Sequence, residues 1–141
     1  MNANLNADRL RRIWQVVGAL LVALIVELSL TPHPIELPLD HGDKYEHVLA
    51  YAVLMLWWAQ IVSGRLSRLG LAAGFVAMGI ALEFAQRATG YRSFEIQDME
   101  AGAAGVLLGW ALAPPRSPSL IEFARTLLRW DARDARNSSA G

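Results

Sequence analysis

Asp43, Lys44, His47 and Tyr51 open one apolar stretch of the chain. Asp43, His47 and Tyr51 are spaced i, i+4, i+8, so one helix carries a carboxyl, an imidazole and a phenol on one face. Glu83 and Gln86 share a face near the end of another stretch. Arg87 and Arg92 follow, and Asp98 begins a further one. These types support three kinds of chemistry. In the first, His47 is a general base oriented by Asp43, Glu83 or Asp98 is the acid, and Arg92 holds an oxyanion or phosphate. In the second, Lys44, Arg87 and Arg92 grip an anionic head group beside Tyr51 and Gln86, since a guanidinium offers two donors in a fixed fork. In the third, the groups satisfy one another: Lys44 or Arg92 neutralises Asp43, Glu83 or Asp98, and helices are stapled with no chemistry done. Asp43, His47, Glu83 and Asp98 also offer metal ligands. Lys44 and Arg92, however, bring positive charge to the place a cation takes, and no His-Glu-x-x-His run is present, so no metal and no cofactor are expected.

The elements that must position these groups are four apolar stretches: Ile13–Leu30, Tyr45–Val62, Leu69–Ala88 and Ile96–Ala113. Each runs about 18–20 residues, which at 1.5 Å per residue matches the roughly 30 Å hydrocarbon core of a bilayer. Hydrophobic residues make up 54% of the 141-residue chain and charged residues 18%. A soluble bundle needs a polar face on every helix, and Gly18–Val26 and Gly70–Leu82 have none. The expected fold is all-α: a bundle of four transmembrane helices over residues 1–114, then a C-terminal amphipathic helix and tail over 115–141.

Charge placement predicts the topology. Ten of the thirteen Lys and Arg lie before the first stretch, between the second and third, or after the fourth; only Lys44, Arg87 and Arg92 lie on the other side. The positive-inside rule then puts both termini in the cytoplasm, and the polar groups converge in the outer part of the bundle. Ionisable groups at that depth pair or line a wet cavity, because lipid does not solvate them singly. Ile13–Leu30 is long for a signal-peptide core and no Ala-x-Ala follows it, so it reads as an uncleaved helix. Formal net charge is zero and no nucleic-acid partner is expected; membrane lipids are. With no cysteine, thiol chemistry and disulfides are excluded.

Pro32, Pro34 and Pro38 make the first connection a stiff loop that also holds His33 and His41. The tight turn at 63–68 makes the second and third stretches antiparallel neighbours. Gly70 and Gly74, and the row Ala73, Ala77, Ala81 and Ala85, are small-residue ladders suited to close helix packing; Gly102, Gly105 and Gly109 form another. Ser119 and Glu122 make a capping box. Beyond it Leu120, Phe123, Ala124, Leu127 and Trp130 mark one face, and Glu122, Arg125, Arg129, Arg133 and Arg136 the other. That pattern predicts a basic helix lying on the inner leaflet, or docking a partner. Residues 137–141 read as a disordered tail.

The ordered set of polar motifs resembles the VanZ-like membrane proteins: Asp43-Lys44-x-x-His47-x-x-x-Tyr51, Glu83-x-x-Gln86, Gly90-x-Arg92, and Asp98 followed by Gly105 and Gly109, after Ser29-Leu30-x-Pro32. The resemblance runs from about Leu28 to Gly109. It implies a small polytopic protein of the bacterial inner membrane and cell envelope. The family is named for a member linked to low-level teicoplanin resistance, and no activity is established for it as a class. A lipid-proximal role follows, with a lipid-linked cell-wall or polysaccharide precursor as the expected ligand. One position departs: the family usually has Asn four residues after the Asp of the fourth stretch, and Gly102 stands here.

Overall fold

The computed structural model describes residues 2–32, 42–116 and 118–126. Every element among them is helical: α1 (Asn2–Leu30), α2 (Gly42–Trp58), α3 (Arg65–Thr89), α4 (Ile96–Ala111) and a segment over 120–126, α5. The expected loop residues His33, Pro34, Glu36, Pro38, Asp40 and His41 lie outside the described residues. So do Leu127, Arg129, Trp130, Arg133, Arg136 and the tail.

Gly90, at φ 76°, ends α3 in the left-handed region, where a residue without Cβ meets no steric penalty. Asp43 and Asp98 sit in the first turns of α2 and α4, where a carboxylate complements the helix dipole. Two helices, Asp8–Leu30 within α1 and Arg65–Thr89, are long and apolar enough to cross a membrane. α2 has 17 residues and α4 has 16, shorter than the expected stretches because the chain leaves α2 in a turn near Ala59 and α4 in a turn near Leu112.

Contacts at the two ends show an up-and-down course for α1 to α4. At one end Gln86 and Tyr91 meet the last turn of α1, and Lys44 meets the start of α4. At the other, Trp14 meets Trp57, and Arg68 meets Ala59 and Pro114. α2 and α4 therefore run parallel, and they form the most intimate pair in the fold. The expected pairing of α2 with α3 is the slightest of the helix contacts. The tight turn sets those helices antiparallel but does not pack them; α4 takes the place against α2 because its glycines allow it.

A Cβ on Gly105 would meet the Val48 carbonyl oxygen, and one on Gly109 the Ala52 carbonyl oxygen. Gly105 and Gly109 thus let backbone lie on backbone. Tyr51, Leu54, Met55, Ala59, Ala72, Phe75, Val106 and Ala113 form the core around this contact. The ladder on α3 behaves differently. Gly70 and Gly74 face open space, and Ala73, Ala77 and Ala81 are exposed, with only Ala85 half-buried, so most of that row is not covered by the described residues.

α1 docks by its ends. The indoles of Trp14 and Trp57 stack with centroids 4.0 Å apart, and each Nε1 donates to the other's backbone carbonyl at 3.0 Å. Gly18 leaves room beside them for Trp58. At its other end, the Ser29 carbonyl accepts from Gln86 Nε2 at 2.8 Å and the Leu30 carbonyl from the Tyr91 hydroxyl at 2.7 Å. These satisfy carbonyls that a helix C-terminus leaves without partners. Arg68 does the same for α2, donating to Ala59 and Val62 carbonyls and to Pro114.

Gly105→Leu should force α2 from α4 and lower stability by about 3 kcal/mol, as overpacking does. Gly74→Leu, at an open position, should change it by less than about 0.5 kcal/mol. Thermal unfolding of detergent-solubilised protein, followed by helical circular dichroism, checks the contrast.

Candidate functional site

The parallel α2–α4 pair brings the first turns of both helices together, and α3 delivers its last turns to the same end. Lys44 lies at the centre. Its Nζ donates to Asp43 Oδ2 and to Glu95 Oε2 at 2.6 Å, and stands 3.1 Å from Asp98 Oδ1. One ammonium thus serves three carboxylates from both sides of the α2–α4 interface.

Glu83 lies deeper, 2% exposed. Its Oε1 accepts from the Glu95 backbone N–H at 2.5 Å, which pins the entry of α4 to α3. Asp98 is 8% exposed, and its Oδ1 is closed off from solvent with no hydrogen bond: Lys44 is at ion-pair distance but not aligned to donate. The ligand atoms of His47, Glu83 and Asp98 lie within 4.8 Å of one another, and so do those of Asp43, Glu95 and Asp98.

His47 Nδ1 lies 2.9 Å from the Asp43 backbone carbonyl. A carbonyl only accepts, so Nδ1 carries the proton and, in the neutral ring, Nε2 keeps the lone pair. The residue that orients the imidazole is the expected Asp43, acting through its main chain rather than its carboxylate. The carboxylate is taken by Lys44.

Tyr51 is buried between two glycines. A Cβ on Gly79 would come within 3.0 Å of its hydroxyl, and one on Gly102 within 3.2 Å of its ring. The position where the resembled family usually has Asn is thus occupied from across the interface by a phenol ring. Gln86, also 2% exposed, is committed to Ser29 of α1.

The expected set therefore divides. Asp43, Lys44, His47, Glu83 and Asp98 come together, with Tyr51 and Gln86 turned into the packing around them. Arg87 is exposed and lies over the Phe94 ring, 5.5 Å from its centroid. Arg92 is half-buried and forms no ion pair with a described residue. Sequence reasoning left out Glu95. It lies just before α4, and only α2 lying on α4 brings it to Lys44.

The charges at the helix starts reinforce one another. Lys44 beside Asp43 holds that carboxyl below its ordinary 3.8. Asp43 and then Glu95 hold the Lys44 ammonium above its ordinary 10.5. No family model matches this chain, and no curated protein or solved structure matches it.

Because the Asp43 value is lowered on folding, its contribution is complete above pH 3.8 and is lost as pH falls through the folded value. The Lys44 contribution is complete below pH 10.5 and is lost only as pH rises through the raised value. Thermal stability in detergent should thus be flat across neutral pH as far as this pair is concerned and should fall on acidification. Lys44→Met, which strands the carboxylates, should cost about 1.5–3 kcal/mol at neutral pH and flatten the acid limb. A pH series of melting curves for both proteins tests this; an acid limb equally steep in the variant goes against it.

Proposed function

We propose that this chain is a four-span membrane protein, of the kind its VanZ-like resemblance implies, whose outer lip takes an anionic head group. Support for four spans comes from the inverted burial. Ile13, Val16, Leu20, Leu24 and Leu28 line the outside of α1; Tyr45, Leu49 and Val53 that of α2; Leu66, Leu69, Ile80 and Phe84 that of α3; Leu107, Leu108 and Leu112 that of α4. Glu83, Gln86 and Asp98 are inside. Water penalises that arrangement, and a bilayer favours it. α2 and α4, at 17 and 16 residues, span about 24–26 Å as helix, and the turns that follow each complete the crossing. With Arg65, Arg68 and Arg116 at the opposite end, the cluster end faces outward.

The observation that carries the head-group reading is the sorting of charge. Lys44 is spent on Asp43, Glu95 and Asp98 inside, whereas Arg87 and Arg92 have no carboxylate partner among the described residues. Two guanidinium groups over an apolar outer surface suit the phosphate of a phospholipid or of a lipid-linked envelope precursor. A second reading, a membrane enzyme with His47 as base, draws on the imidazole whose tautomer is set by Asp43 and which lies beside Glu83 and Asp98.

Alkaline phosphatase fused after residue 141 should be inactive, and fused within 33–41 active. The reverse pattern sinks the outward orientation. For the lip, phosphatidylglycerol retained by the purified protein is measured by native mass spectrometry. The Arg87→Gln/Arg92→Gln double variant should fold normally and bind it roughly 30-fold less well, at about 1 kcal/mol per basic group. Unchanged retention rejects the two arginines as head-group donors.

A further inference from the structure

The cluster end holds two groups of ligand atoms at metal spacing, and they differ in one respect. In Asp43, Glu95 and Asp98 the cation's place is filled, because Lys44 Nζ touches all three carboxylates. In His47, Glu83 and Asp98 the Lys44 ammonium reaches only the Asp98 edge, at 3.1 Å, and no ammonium or guanidinium of a described residue lies at ion-pair distance from Glu83. Among the described residues, Lys44 is shared by Asp43, Glu95 and Asp98, whereas Glu83, 2% exposed, is met by the Glu95 backbone N–H and by no cation. A buried anion needs a counter-charge, and lipid offers none.

Two further observations point the same way. His47 donates its Nδ1–H to the Asp43 carbonyl, which leaves Nε2 as the nitrogen with a free lone pair. A backbone carbonyl on the far nitrogen is the arrangement that fixes the tautomer of metal-bound histidines. Asp98 Oδ1, closed off from solvent, has Lys44 Nζ at 3.1 Å and no other partner among the described residues, which leaves it lone-pair capacity on the His47 side.

We propose that His47, Glu83 and Asp98 bind one divalent transition-metal ion, of the zinc or manganese type, between α2, α3 and α4. One imidazole and two carboxylates make a mixed N,O set that suits such an ion better than calcium or magnesium, which take oxygen. Donor atoms within 4.8 Å of one another are somewhat wider than the roughly 3.4 Å edges of a tetrahedral site with bonds near 2.0–2.1 Å, a gap that side-chain rotation closes. Three protein ligands leave a position for water or for an anionic oxygen. The site does not depend on head-group binding, since none of its ligands is an arginine of the lip.

The test uses the full-length protein in detergent, stripped with chelator and titrated with Zn²⁺, Mn²⁺ or Mg²⁺ by calorimetry, with bound metal counted by mass spectrometry. One Zn²⁺ or Mn²⁺ per chain is expected, with Mg²⁺ binding at least tenfold weaker. Glu83→Gln, Asp98→Asn and His47→Gln should each weaken it about 100-fold. Glu100→Gln, at an exposed position of α4, should leave it unchanged. If a variant does not fold, X-ray absorption of the zinc-loaded wild type decides: one nitrogen and two carboxylate oxygens from the protein support the site, and an all-oxygen shell overturns it. No saturable binding, equal preference for Mg²⁺, or binding indifferent to both His47→Gln and Glu83→Gln overturns it as well. Loss of phosphatidylglycerol retention with metal binding intact would instead count against the lip alone.

Discussion

Backbone contact between α2 and α4 is the constraint from which the rest of the arrangement follows. Gly105 against the Val48 carbonyl and Gly109 against the Ala52 carbonyl leave no space for a side chain. Once those points are set, the parallel register carries Lys44 to Glu95 and Asp98 at one end and seats Tyr51 between Gly79 and Gly102. Close approach of this kind also maximises dispersion between helices that, in lipid, gain little from the hydrophobic effect.

The remaining helices add apolar contacts, Ala72 and Phe75 of α3 and Leu21, Val22 and Ile25 of α1, and are tied at their ends through polar groups. Trp14 and Trp57 exchange indole hydrogen bonds with each other's carbonyls, Gln86 and Tyr91 serve the last carbonyls of α1, and Arg68 collects those at the end of α2. Each of these donors meets a main-chain carbonyl rather than a carboxylate. For the four-span reading that is economical, because in lipid helix-end carbonyls cost several kcal/mol each if left bare, whereas a neutral acceptor carries no charge to desolvate. Lys44 supplies the counter-charge at the start of α2 and α4, where two helix dipoles favour carboxylates.

That division gives the cluster its chemical character. It is an acidic site around one committed lysine, and the cations near its rim, Arg87 and Arg92, are not part of it. On the proposed reading an anionic group meets the arginines first, and a cation belongs deeper, beside His47, Glu83 and Asp98. The two are compatible, since a metal with an open position also attracts phosphate oxygen.

The all-helical class, the polar residues that meet at one end and the packing role of Gly105 and Gly109 were legible in the sequence, because hydrophobic length, charge spacing and small-residue spacing are properties of single helices. The C-terminal segment was legible only at its start, where Ser119 Oγ accepts the Glu122 N–H at 3.3 Å as a capping box requires. Within the described part of that segment Ile121 is buried, and Leu120 and Phe123 stay exposed. Pairing of helices was beyond the sequence. The turn at 63–68 pointed to α2 on α3, and the Gly and Ala rows of α3 looked as suited to packing as those of α4. Only the assembled bundle shows α4 filling that place while the α3 rows face outward, because helix association depends on which surfaces fit together, and a list of small residues on one surface does not specify its partner. The same holds at the site. Residue types and order placed Asp43, Lys44, His47, Glu83, Arg92 and Asp98 together; all but Arg92 join the cluster, and Arg92 forms no ion pair with a described residue. Which carboxylates Lys44 neutralises, and which it leaves to His47, depends on distances of an ångström or two across helices that only the tertiary structure sets.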